Sequence, residues 1–499
     1  MDKFYITTTL PYVNAPPHLG HALEFVQADI IARHHKIIGD EVFFNVGTDE
    51  HGLKIYREAI KSRKNPQEYA DEYAAKFKKF CEALNINYTK FIRTTDLPHL
   101  KAAQEFWKRC DQNGDIYKGL YKVKYCVGCE LEKTESELIN GHCPIHPSLK
   151  IELIEEENYF FRFSRYQKPL LDFYASCSDF VIPDFRFNEI KNFVAAGLQD
   201  FSVSRLKAKM PWGIPVPNDP EQVMYVWFDA LINYISTLGW PKEKEKFLAF
   251  WGSAGNPKAI QIAGKDNLRQ QSAMWQAMLM SAGLPPSKQI IIHGFITSGR
   301  EKMSKSRGNV VSPFVIIEKY GADALRFWLA HDMNPFEDGD FTLDKFKKSY
   351  NANLANGLGN FASRVLTLGE KLKDLGREQI LIEKEIEQKI KNVKELVFQK
   401  LGGFKFNEAA KEIWDLISFG DAYVNKTEVW AIKDEKIQNK IIFNLIVILD
   451  NVAALLKPFL PETSERITKS IVWRNKTLFV KKPEILFPRI TEHVSRSPE

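Results

Sequence analysis

The sequence predicts an α/β protein with a doubly wound parallel sheet, followed by a C-terminal bundle of α-helices. Short apolar strand candidates alternate with helix-length amphipathic segments between residues 4 and 115. This alternation resumes near Val223, after a stretch with a different pattern. From Leu343 onward, apolar residues recur at the spacing of helices that pack against one another, as in Ile442 and Leu445.

Length and composition indicate several domains rather than one core. At 499 residues the chain is long enough for about three domains, and its 44% apolar and 26% charged residues are typical of soluble globular proteins.

No basic and apolar leader opens the sequence, so we expect a cytoplasmic protein. The apolar run 441–460 is interrupted by Asn444, Asp450 and Lys457, which predicts a buried helix rather than a membrane span. A net charge of +6 permits a nucleic-acid partner without requiring one.

The predicted elements follow from apolar periodicity and from Gly and Pro punctuation. Strands are predicted at residues 4–9, 41–46, 151–159, 223–227, 259–263 and 290–295, and helices at 19–38, 66–84, 97–112, 166–174, 189–198, 314–320, 322–331, 343–375, 384–400, 407–425, 436–456 and 463–470. From Asp115, alternating Tyr, Val and Lys residues indicate a hairpin. The Pro-rich stretch 211–220 then marks the exit from an insertion of about 110 residues.

A polar turn, His18-Leu19-Gly20-His21, joins the first strand to the first helix. Such a turn directs free backbone N–H groups and the positive end of the helix dipole toward a bound anion. Gly20 leaves room for a flat ring to approach the backbone, and the two imidazoles are donors one helical turn apart. The turn therefore predicts an anion site beside a planar group.

A second polar loop follows the apolar strand candidate at 290–295. It contains Lys302-Met303-Ser304-Lys305-Ser306, so two lysines lie three residues apart on a Gly- and Ser-rich segment. Two such ammonium groups can move onto a polyphosphate as point charges. Taken alone, the spacing of the two lysines favours a solvated charged loop.

These two stretches, in this order, resemble the signature motifs of the class I aminoacyl-tRNA synthetases. LPYVN at 10–14, GTDEHG at 47–52, YVWFDA at 225–230 and GKD at 264–266 narrow the resemblance to the methionyl-tRNA synthetase family, bacterial type, over residues 4 to about 430. The resemblance implies a Rossmann-type catalytic domain (1–115 and 224–340), a connective insertion with a zinc knuckle (116–223) and a helical anticodon-binding domain (341–499).

Four residues in the insertion have metal-ligand spacing: Cys126-x2-Cys129-x13-Cys143-x2-His146. Two short-spaced pairs separated by a loop can close a tetrahedron around Zn²⁺, and four protein ligands leave no open position. The motif predicts one structural zinc ion, and the alternative is a loop of reduced cysteines. The methionyl-tRNA synthetase family, which this sequence resembles, carries a zinc knuckle at this place, and a site of three cysteines and one histidine is one of its known variants.

The resemblance also assigns roles residue by residue. Those for catalysis are His18, His21, Lys302 and Lys305; those for ATP are Gly20, Glu24, Gly264, Asp266, Ser304 and Lys305; those for methionine are Leu10, Tyr12, Asp49, Trp227, Ala230 and Tyr234. From the residues alone, Asp49 is equally compatible with a helix N-cap, and the aromatic side chains with plain core packing. Asn267 and Gln271 depart from the family pattern, which has an apolar residue and a histidine there, so neither is assigned to the substrate.

Three residues of the helical region match anticodon-reading positions of the family: Asn360, Arg364 and Trp430. Asn360 and Arg364 share one helical face, and an indole near a helix end offers a stacking surface for a base. The alternative from spacing alone is a surface salt-bridge partner and a half-buried Trp. Val429 replaces the proline that usually precedes this Trp.

The resemblance implies methionine–tRNA ligase activity: ATP converts methionine to methionyl-adenylate, and the aminoacyl group passes to the 3′ end of tRNA(Met). The expected partners are ATP with Mg²⁺, L-methionine and tRNA(Met), without DNA or a membrane, and the expected state is a monomer. The alternatives are a cysteinyl-tRNA synthetase, a catalytically silent zinc-containing RNA-binding protein, and a free-standing nucleotidyltransferase.

Overall fold

The computed structural model describes residues 1–129, 131–299, 301–302, 311–372, 382–474, 477–481 and 484–491. These residues fall into two compact units. Unit 1 consists of Met1–Pro17, His35–Glu82 and Asn87–His293, and unit 2 consists of His18–His34, Ala83–Ile86 and Gly294–Glu499.

Unit 1 is built on a six-stranded parallel sheet. The elements up to residue 293 are β1 (Lys3–Thr8), α1 (Leu19–Ile37), β2 (Glu41–Thr48), α2 (Leu53–Lys61), α3 (Pro66–Ala83), β3 (Lys90–Arg93), α4 (Leu97–Gln112), β4 (Ile116–Cys126), β5 (Leu131–Lys133), β6 (Glu152–Phe161), α5 (Gln167–Ser176), β7 (Val181–Ile182), α6 (Asp184–Ala195), β8 (Phe201–Ser202), β9 (Ser204–Leu206), β10 (Pro215–Val216), β11 (Asp219–Met224), α7 (Val226–Leu231), α8 (Asn233–Ser236), α9 (Lys244–Phe250), β12 (Gly252–Ser253), β13 (Asn256–Pro257), β14 (Ala259–Gly264), α10 (Trp275–Ser281) and β15 (Gln289–His293).

The strand order of this sheet is β3-β2-β1-β14-β15-β7, with every neighbouring pair parallel. Chain order reverses direction between β1 and β14, which is the switch point of a doubly wound sheet and the usual place for a ligand. β14 is buried along its whole length, as expected for a central strand covered on both faces. The predicted α/β class with a doubly wound parallel sheet is confirmed.

The middle of the chain forms antiparallel sheets. β4 pairs with β5 and β6, as the alternating residues after Asp115 predict, and β8 completes this sheet. The predicted strand at 223–227 is wrong: β11 ends at Met224, pairs antiparallel with β9 and β10, and gives way to α7. The apolar run simply continues from strand into helix, so periodicity alone could not place the boundary. The short strand β7, from within the predicted insertion, lies at the edge of the parallel sheet.

Unit 2 is mainly helical, and it includes most of α1. Its elements from residue 294 are β16 (Ile296–Ser298), β17 (Glu301–Lys302), α11 (Pro313–Tyr320), α12 (Ala322–Phe327), β18 (Gly339–Asp340), α13 (Leu343–Ser349), a π-helical stretch (Tyr350–Gly359), α14 (Asn360–Gly369), α15 (Lys384–Gly402), α16 (Phe406–Thr427), α17 (Glu435–Leu456), α18 (Pro461–Ser470), β19 (Ile471–Arg474) and β20 (Thr477–Val480). The predicted helical C-terminal region is confirmed, and the hairpin β19–β20 was not predicted.

Helix α17 is long and apolar enough, by composition alone, to cross a membrane. However, 67% of its most apolar window is buried inside the structure. Its buried residues include the polar Asn444, whose amide hydrogen-bonds to Tyr423 of α16. The prediction of a buried helix is therefore confirmed for this segment.

Candidate active site and metal centre

The HLGH turn holds its two imidazoles in a fixed arrangement. The rings of His18 and His21 stack with centroids 3.8 Å apart and planes 18° apart. The backbone N–H of His18 donates to Nδ1 of His21 (3.2 Å), and that of Gly20 donates to Nδ1 of His18 (3.1 Å). Because each Nδ1 is an acceptor, each neutral ring carries its hydrogen on Nε2. The turn thus presents two imidazole N–H donors side by side.

Burial, and then the proximity of His18, lower the pKa of His21 well below its usual value of 6.5. His21 is therefore neutral at physiological pH. A side chain at position 20 would disturb this pair, since a Cβ there would lie 2.9 Å from Cε1 of His18. Glu24 follows one turn later on α1 and is buried.

The KMSKS segment is mostly outside the described residues. Lys302 ends β17, where it pairs in the backbone with Thr297. Ser304 and Lys305 lie outside the described residues, so the predicted convergence of Lys305 and His21 on one triphosphate remains a prediction.

Asp49, Tyr12 and Trp227 are brought together in unit 1. The Asp49 N–H donates to the Pro11 carbonyl (3.0 Å), and the Asp49 carbonyl accepts from Val13 (3.2 Å). Asp49 is only 3% exposed, and the Tyr12 ring meets Trp227 edge-on at 6.4 Å. Asp49 does not cap a helix, because α2 begins at Leu53 with Gly52 at its N-cap position.

The other predicted pocket residues are also in unit 1. Ala230 and Tyr234 are buried on α7 and α8, and Leu10 is partly buried just after β1. The Tyr234 ring lies edge-on to Trp275 at 5.9 Å, and its hydroxyl accepts a hydrogen bond from Gln271 (2.7 Å).

A buried carboxylate between two histidines was not predicted from the sequence. Asp229 is fully buried, with Oδ2 lying 2.7 Å from Nδ1 of His51 and Oδ1 lying 2.8 Å from Nε2 of His99. The carboxylate accepts from both rings, and Nδ1 of His99 lies 2.9 Å from the Ser236 hydroxyl oxygen. Burial alone would raise the pKa of Asp229, but the two histidines outweigh it and lower the pKa below 3.8.

This centre fixes the segments that carry the pocket residues. His51 lies two residues after Asp49, and Asp229 lies between Trp227 and Ala230. The GTDEHG and YVWFDA motifs contained two of its members, but nothing in the sequence marks His99 as the third.

Gly264 and Asp266 are close together at the carboxyl end of β14. A Cβ added to Gly264 would lie 2.9 Å from Oδ1 of Asp266 and 3.6 Å from the His293 ring. Asp266 is exposed, whereas Gly264 is buried. The glycine therefore leaves space beside an accessible carboxylate at the end of a central strand.

The four predicted metal ligands converge. Sγ of Cys129 lies 3.5 Å from Sγ of Cys143 and 3.2 Å from Nδ1 of His146, and Sγ of Cys126 lies 3.9 Å from that nitrogen. All four donor atoms lie within 4.8 Å of one another. A tetrahedral zinc ion with ordinary bond lengths places its ligand atoms roughly 3.5 to 3.8 Å apart. The cluster can therefore bind a metal ion.

Neighbouring residues support this knuckle. A Cβ on Gly128 would lie 2.5 Å from Cγ of His146, so the ring packs directly on the glycine backbone. The Lys54 ammonium on α2 donates to the Gly128 carbonyl (3.0 Å) and ties the knuckle turn to a helix.

The three predicted anticodon residues lie on the helical unit. Asn360 begins α14 and is exposed, and Trp430 is 58% exposed just after α16. The Arg364 guanidinium donates to Asp421 Oδ1 (2.6 Å) and Asn425 Oδ1 (2.7 Å). Arg364 therefore forms a salt bridge, as the alternative interpretation of its spacing predicts. Trp430, in contrast, is more exposed than the half-buried Trp of that alternative.

Comparison with known proteins agrees with these features. The family model described as "tRNA synthetases class I (M)" matches residues 4–150 and 132–366, and that described as "Anticodon-binding domain of tRNA ligase" matches 383–493. A methionine–tRNA ligase of Thermotoga maritima is 39% identical over 95% of this chain and 76% of its own length. One from Thermosynechococcus vestitus is 41% identical over 93% of this chain and 89% of its own length.

Solved structures agree as well. Mycobacterium tuberculosis methionyl-tRNA synthetase bound by methionyl-adenylate superposes with a TM-score of 0.90 at 32% identity, covering 98% of this chain and all of the other. A second structure of that enzyme in complex with methionyl-adenylate gives a TM-score of 0.87 at 34% identity, covering 94% of each chain. The chain belongs to the methionine–tRNA ligases, the class I aminoacyl-tRNA synthetases specific for methionine.

Proposed function

We propose that the paired imidazoles of the HLGH turn stabilise the transition state of methionine activation. In this step a methionine carboxylate oxygen bonds to the α-phosphorus of ATP, and the bond to pyrophosphate breaks. Negative charge then spreads over phosphate oxygens, where preorganised donors act most strongly. The observation that carries the proposal is that both Nδ1 atoms accept backbone N–H groups, which leaves His18 and His21 as Nε2–H donors.

The lysines of the KMSKS segment supply positive charge to the same phosphates. We assign this role to Lys302 and Lys305, with Ser304 and Gly20 shaping the contacts around the nucleotide. Gly264, Asp266 and Glu24 serve the adenosine, because a carboxylate accepts well from ribose hydroxyls. Mg²⁺ accompanies ATP and neutralises phosphate charge, and no residue is assigned as its ligand.

Methionine is held by a carboxylate and an aromatic slot. The Asp49 carboxylate pairs with the substrate ammonium group, and its burial strengthens that pairing. A thioether gains dispersion and sulfur–ring contacts with aromatic walls. The slot residues are Leu10, Tyr12, Trp227, Ala230 and Tyr234.

We propose that Cys126, Cys129, Cys143 and His146 hold one structural zinc ion. The donor distances fit a closed tetrahedral site, and thiolates with an imidazole suit zinc. No step of catalysis is assigned to it.

Asn360, Arg364 and Trp430 read the anticodon of tRNA(Met). The exposure of Asn360 and Trp430 supports this role, because RNA bases are read by accessible donors and stacking surfaces. We further propose a cytoplasmic monomer. Its functional domains are a catalytic domain (1–115 and 224–340), a connective insertion (116–223) and an anticodon-binding domain (341–499), although residues 294–340 pack with the helical unit.

ATP–pyrophosphate exchange across the amino acids tests the activation chemistry. We expect exchange with methionine and none with cysteine. His21→Ala should reduce the exchange rate about 100- to 1,000-fold with little change in KM for methionine, because one preorganised donor is lost. An unaltered rate in the folded variant would remove His21 from the mechanism.

A further inference from the structure

The residue that follows Asp49 in the GTDEHG motif, Glu50, is a fully buried acid with partners at both carboxylate oxygens. Oε1 accepts hydrogen bonds from the Thr48 hydroxyl (2.7 Å) and from Nε of Arg93 (2.7 Å). Oε2 accepts from Nη2 of Arg93 (2.8 Å) and from the Thr95 hydroxyl. A carboxylate that accepts two N–H groups of one guanidinium is held in one orientation. The side chain of Glu50 is therefore fixed against the end of β3, where Arg93 lies.

The backbone of Glu50 is bound as well. Its N–H donates to the Thr94 hydroxyl oxygen (2.9 Å), and its carbonyl accepts from the indole of Trp212. The Trp212 carbonyl in turn accepts from the N–H of Gly52 (3.2 Å). Buried hydrogen bonds of this kind are costly to break, because each group would be left without a partner. The chain is therefore anchored directly after Asp49.

This anchoring determines the face on which Asp49 lies. The extended chain continues from β2 through Asp49, which forms a parallel bridge with Tyr12. Successive side chains of an extended chain lie on opposite faces. The hydrogen bond from the Thr48 hydroxyl to Glu50 shows that these two side chains share one face, so the side chain of Asp49 lies on the other. The bonds to Glu50 thus hold the chain from the face opposite to the Asp49 carboxylate.

Arg93 also balances the charge of Glu50. The side chain of Arg93 is 20% exposed and pairs with Glu50 on one side and with the more exposed Asp71 on the other. Burial alone would lower the pKa of Arg93, but the hydrogen bonds and charges of the two carboxylates outweigh it and raise the pKa above its usual value. Arg93 is therefore a cation. Its removal would leave the Glu50 carboxylate buried without this ion pair, one residue from Asp49, which is strongly unfavourable.

We propose that Glu50 and Arg93 are positioning residues that direct the Asp49 carboxylate to the ammonium group of the amino-acid substrate. The inference rests on the proposed function, in which Asp49 pairs with that group. A carboxylate whose backbone is already fixed binds the ammonium group more strongly than one that must be ordered on binding. The pair thereby contributes to recognition of the amino group and not to recognition of the substrate side chain.

The test separates the ammonium group from the rest of the substrate. Methioninol keeps the side chain and the ammonium group but lacks the carboxylate, whereas 4-(methylthio)butanoate keeps the side chain and the carboxylate but lacks the ammonium group. Calorimetry measures Kd for each ligand, and we define the ammonium preference as Kd for 4-(methylthio)butanoate divided by Kd for methioninol. Glu50→Gln and Arg93→Gln should each lower this preference about 10- to 100-fold, the value of one hydrogen bond to a charged group, and should leave Kd for 4-(methylthio)butanoate nearly unchanged.

A milder variant and a matched control accompany these substitutions. Arg93→Lys keeps the positive charge but loses the paired N–H groups, so it should fold and lower the ammonium preference about 3- to 10-fold. Arg165→Gln is the control, because Arg165 also pairs with a buried carboxylate, that of Asp115 (2.9 Å), and it should leave the preference unchanged. Thermal unfolding establishes that each variant is folded.

A double substitution tests whether the pair acts through Asp49. In an Asp49→Asn background, Arg93→Gln should have no further effect on the ammonium preference, because both changes act on one carboxylate. A persistent effect in that background would overturn the proposal. An unchanged preference in all folded variants of Glu50 and Arg93, an equal weakening of both ligands, or an equal effect of Arg165→Gln would overturn it as well.

The wild-type protein and Asp49→Asn separate this result from the proposed function. Absence of methionine-dependent exchange in the wild type would contradict the function itself. An unchanged ammonium preference in Asp49→Asn would contradict the role of Asp49. A preference that falls in Asp49→Asn but not in the variants of Glu50 and Arg93 would contradict the positioning role alone.

Discussion

The proposed methionine pocket and the proposed anticodon-binding face differ in burial and in how firmly their polar side chains are held. Around the proposed pocket, Asp229 and Gln271 are almost fully buried, and the carboxylate of Asp229 and the side-chain amide of Gln271 are held by hydrogen bonds. On the helical unit, Trp430 is 58% exposed, and the Arg364 side chain is paired at its ends but 29% exposed. We propose that the pocket selects its substrate through polar groups of fixed orientation, whereas the helical face offers groups that can exchange partners.

The difference follows from the ligands. A small amino acid offers few atoms to read, so each contact must be preorganised and shielded from water. A tRNA offers bases that can stack and accept hydrogen bonds, so an exposed indole can stack on a base and a guanidinium can exchange its protein acceptors for base atoms. Substitutions should accordingly affect stability in the first region and tRNA recognition in the second.

Asp229→Asn should have the largest effect on stability. It leaves two buried histidines facing a neutral amide, which should lower the free energy of unfolding by about 3 kcal/mol. Urea denaturation measures this loss. Asp421→Asn, which removes the charge of a partly exposed ion pair with Arg364, is the control and should cost less than about 1 kcal/mol. Equal losses of unfolding free energy in the two variants would contradict the expected difference between the buried and the partly exposed ion pair.

The stabilisation by Asp229 should depend on pH. The pKa of Asp229 in the folded protein is lowered below 3.8. Its contribution to the unfolding free energy is therefore complete at pH values above its pKa in the unfolded chain, and it is lost as the pH falls through its pKa in the folded protein. The difference in unfolding free energy between wild type and Asp229→Asn should therefore be constant above about pH 5 and shrink on further acidification. An increase of this free-energy difference as the pH falls would contradict the lowered pKa of Asp229.

Gly128→Ala should disturb the metal centre, in which two of the four ligands are buried. The added methyl group would press on the His146 ring, and loss of such support typically weakens metal affinity about 10- to 100-fold. Zinc content after competition with a chelator measures the effect. Gly255→Ala, where a Cβ meets nothing within 4 Å, should retain its zinc. Equal retention in both variants would show that the ring does not depend on this glycine.

Trp430→Ala should change function without changing stability. Loss of one stacking surface is expected to lower kcat/KM for aminoacylation of tRNA(Met) about 10-fold, while methionine-dependent exchange and the unfolding midpoint stay the same. If exchange fell with aminoacylation, the indole would have a structural role.

The parts of the fold that local patterns encode were predicted. Apolar strands such as β1 and β14 and the long helices of the C-terminal region follow from periodicity over neighbouring residues. The position of β11 was not predicted, because its partners β9 and β10 decide whether an apolar run is strand or helix.

The candidate site shows the same limit. The four ligands of the metal centre are close in sequence and were found by spacing alone. His51, His99 and Asp229 are separated by long stretches of chain, so their meeting depends on the whole sheet.

We propose that the buried pocket selects methionine and that the helical face selects the tRNA. Arg364→Ala tests it most directly, with methionine-dependent exchange and aminoacylation measured side by side on tRNA(Met) and on a tRNA(Met) carrying one altered anticodon base. We predict an unchanged exchange rate, a fall of about 10-fold or more in kcat/KM for tRNA(Met), and reduced discrimination between the two tRNAs. A proportional loss of exchange and aminoacylation, with discrimination intact, would contradict the claim.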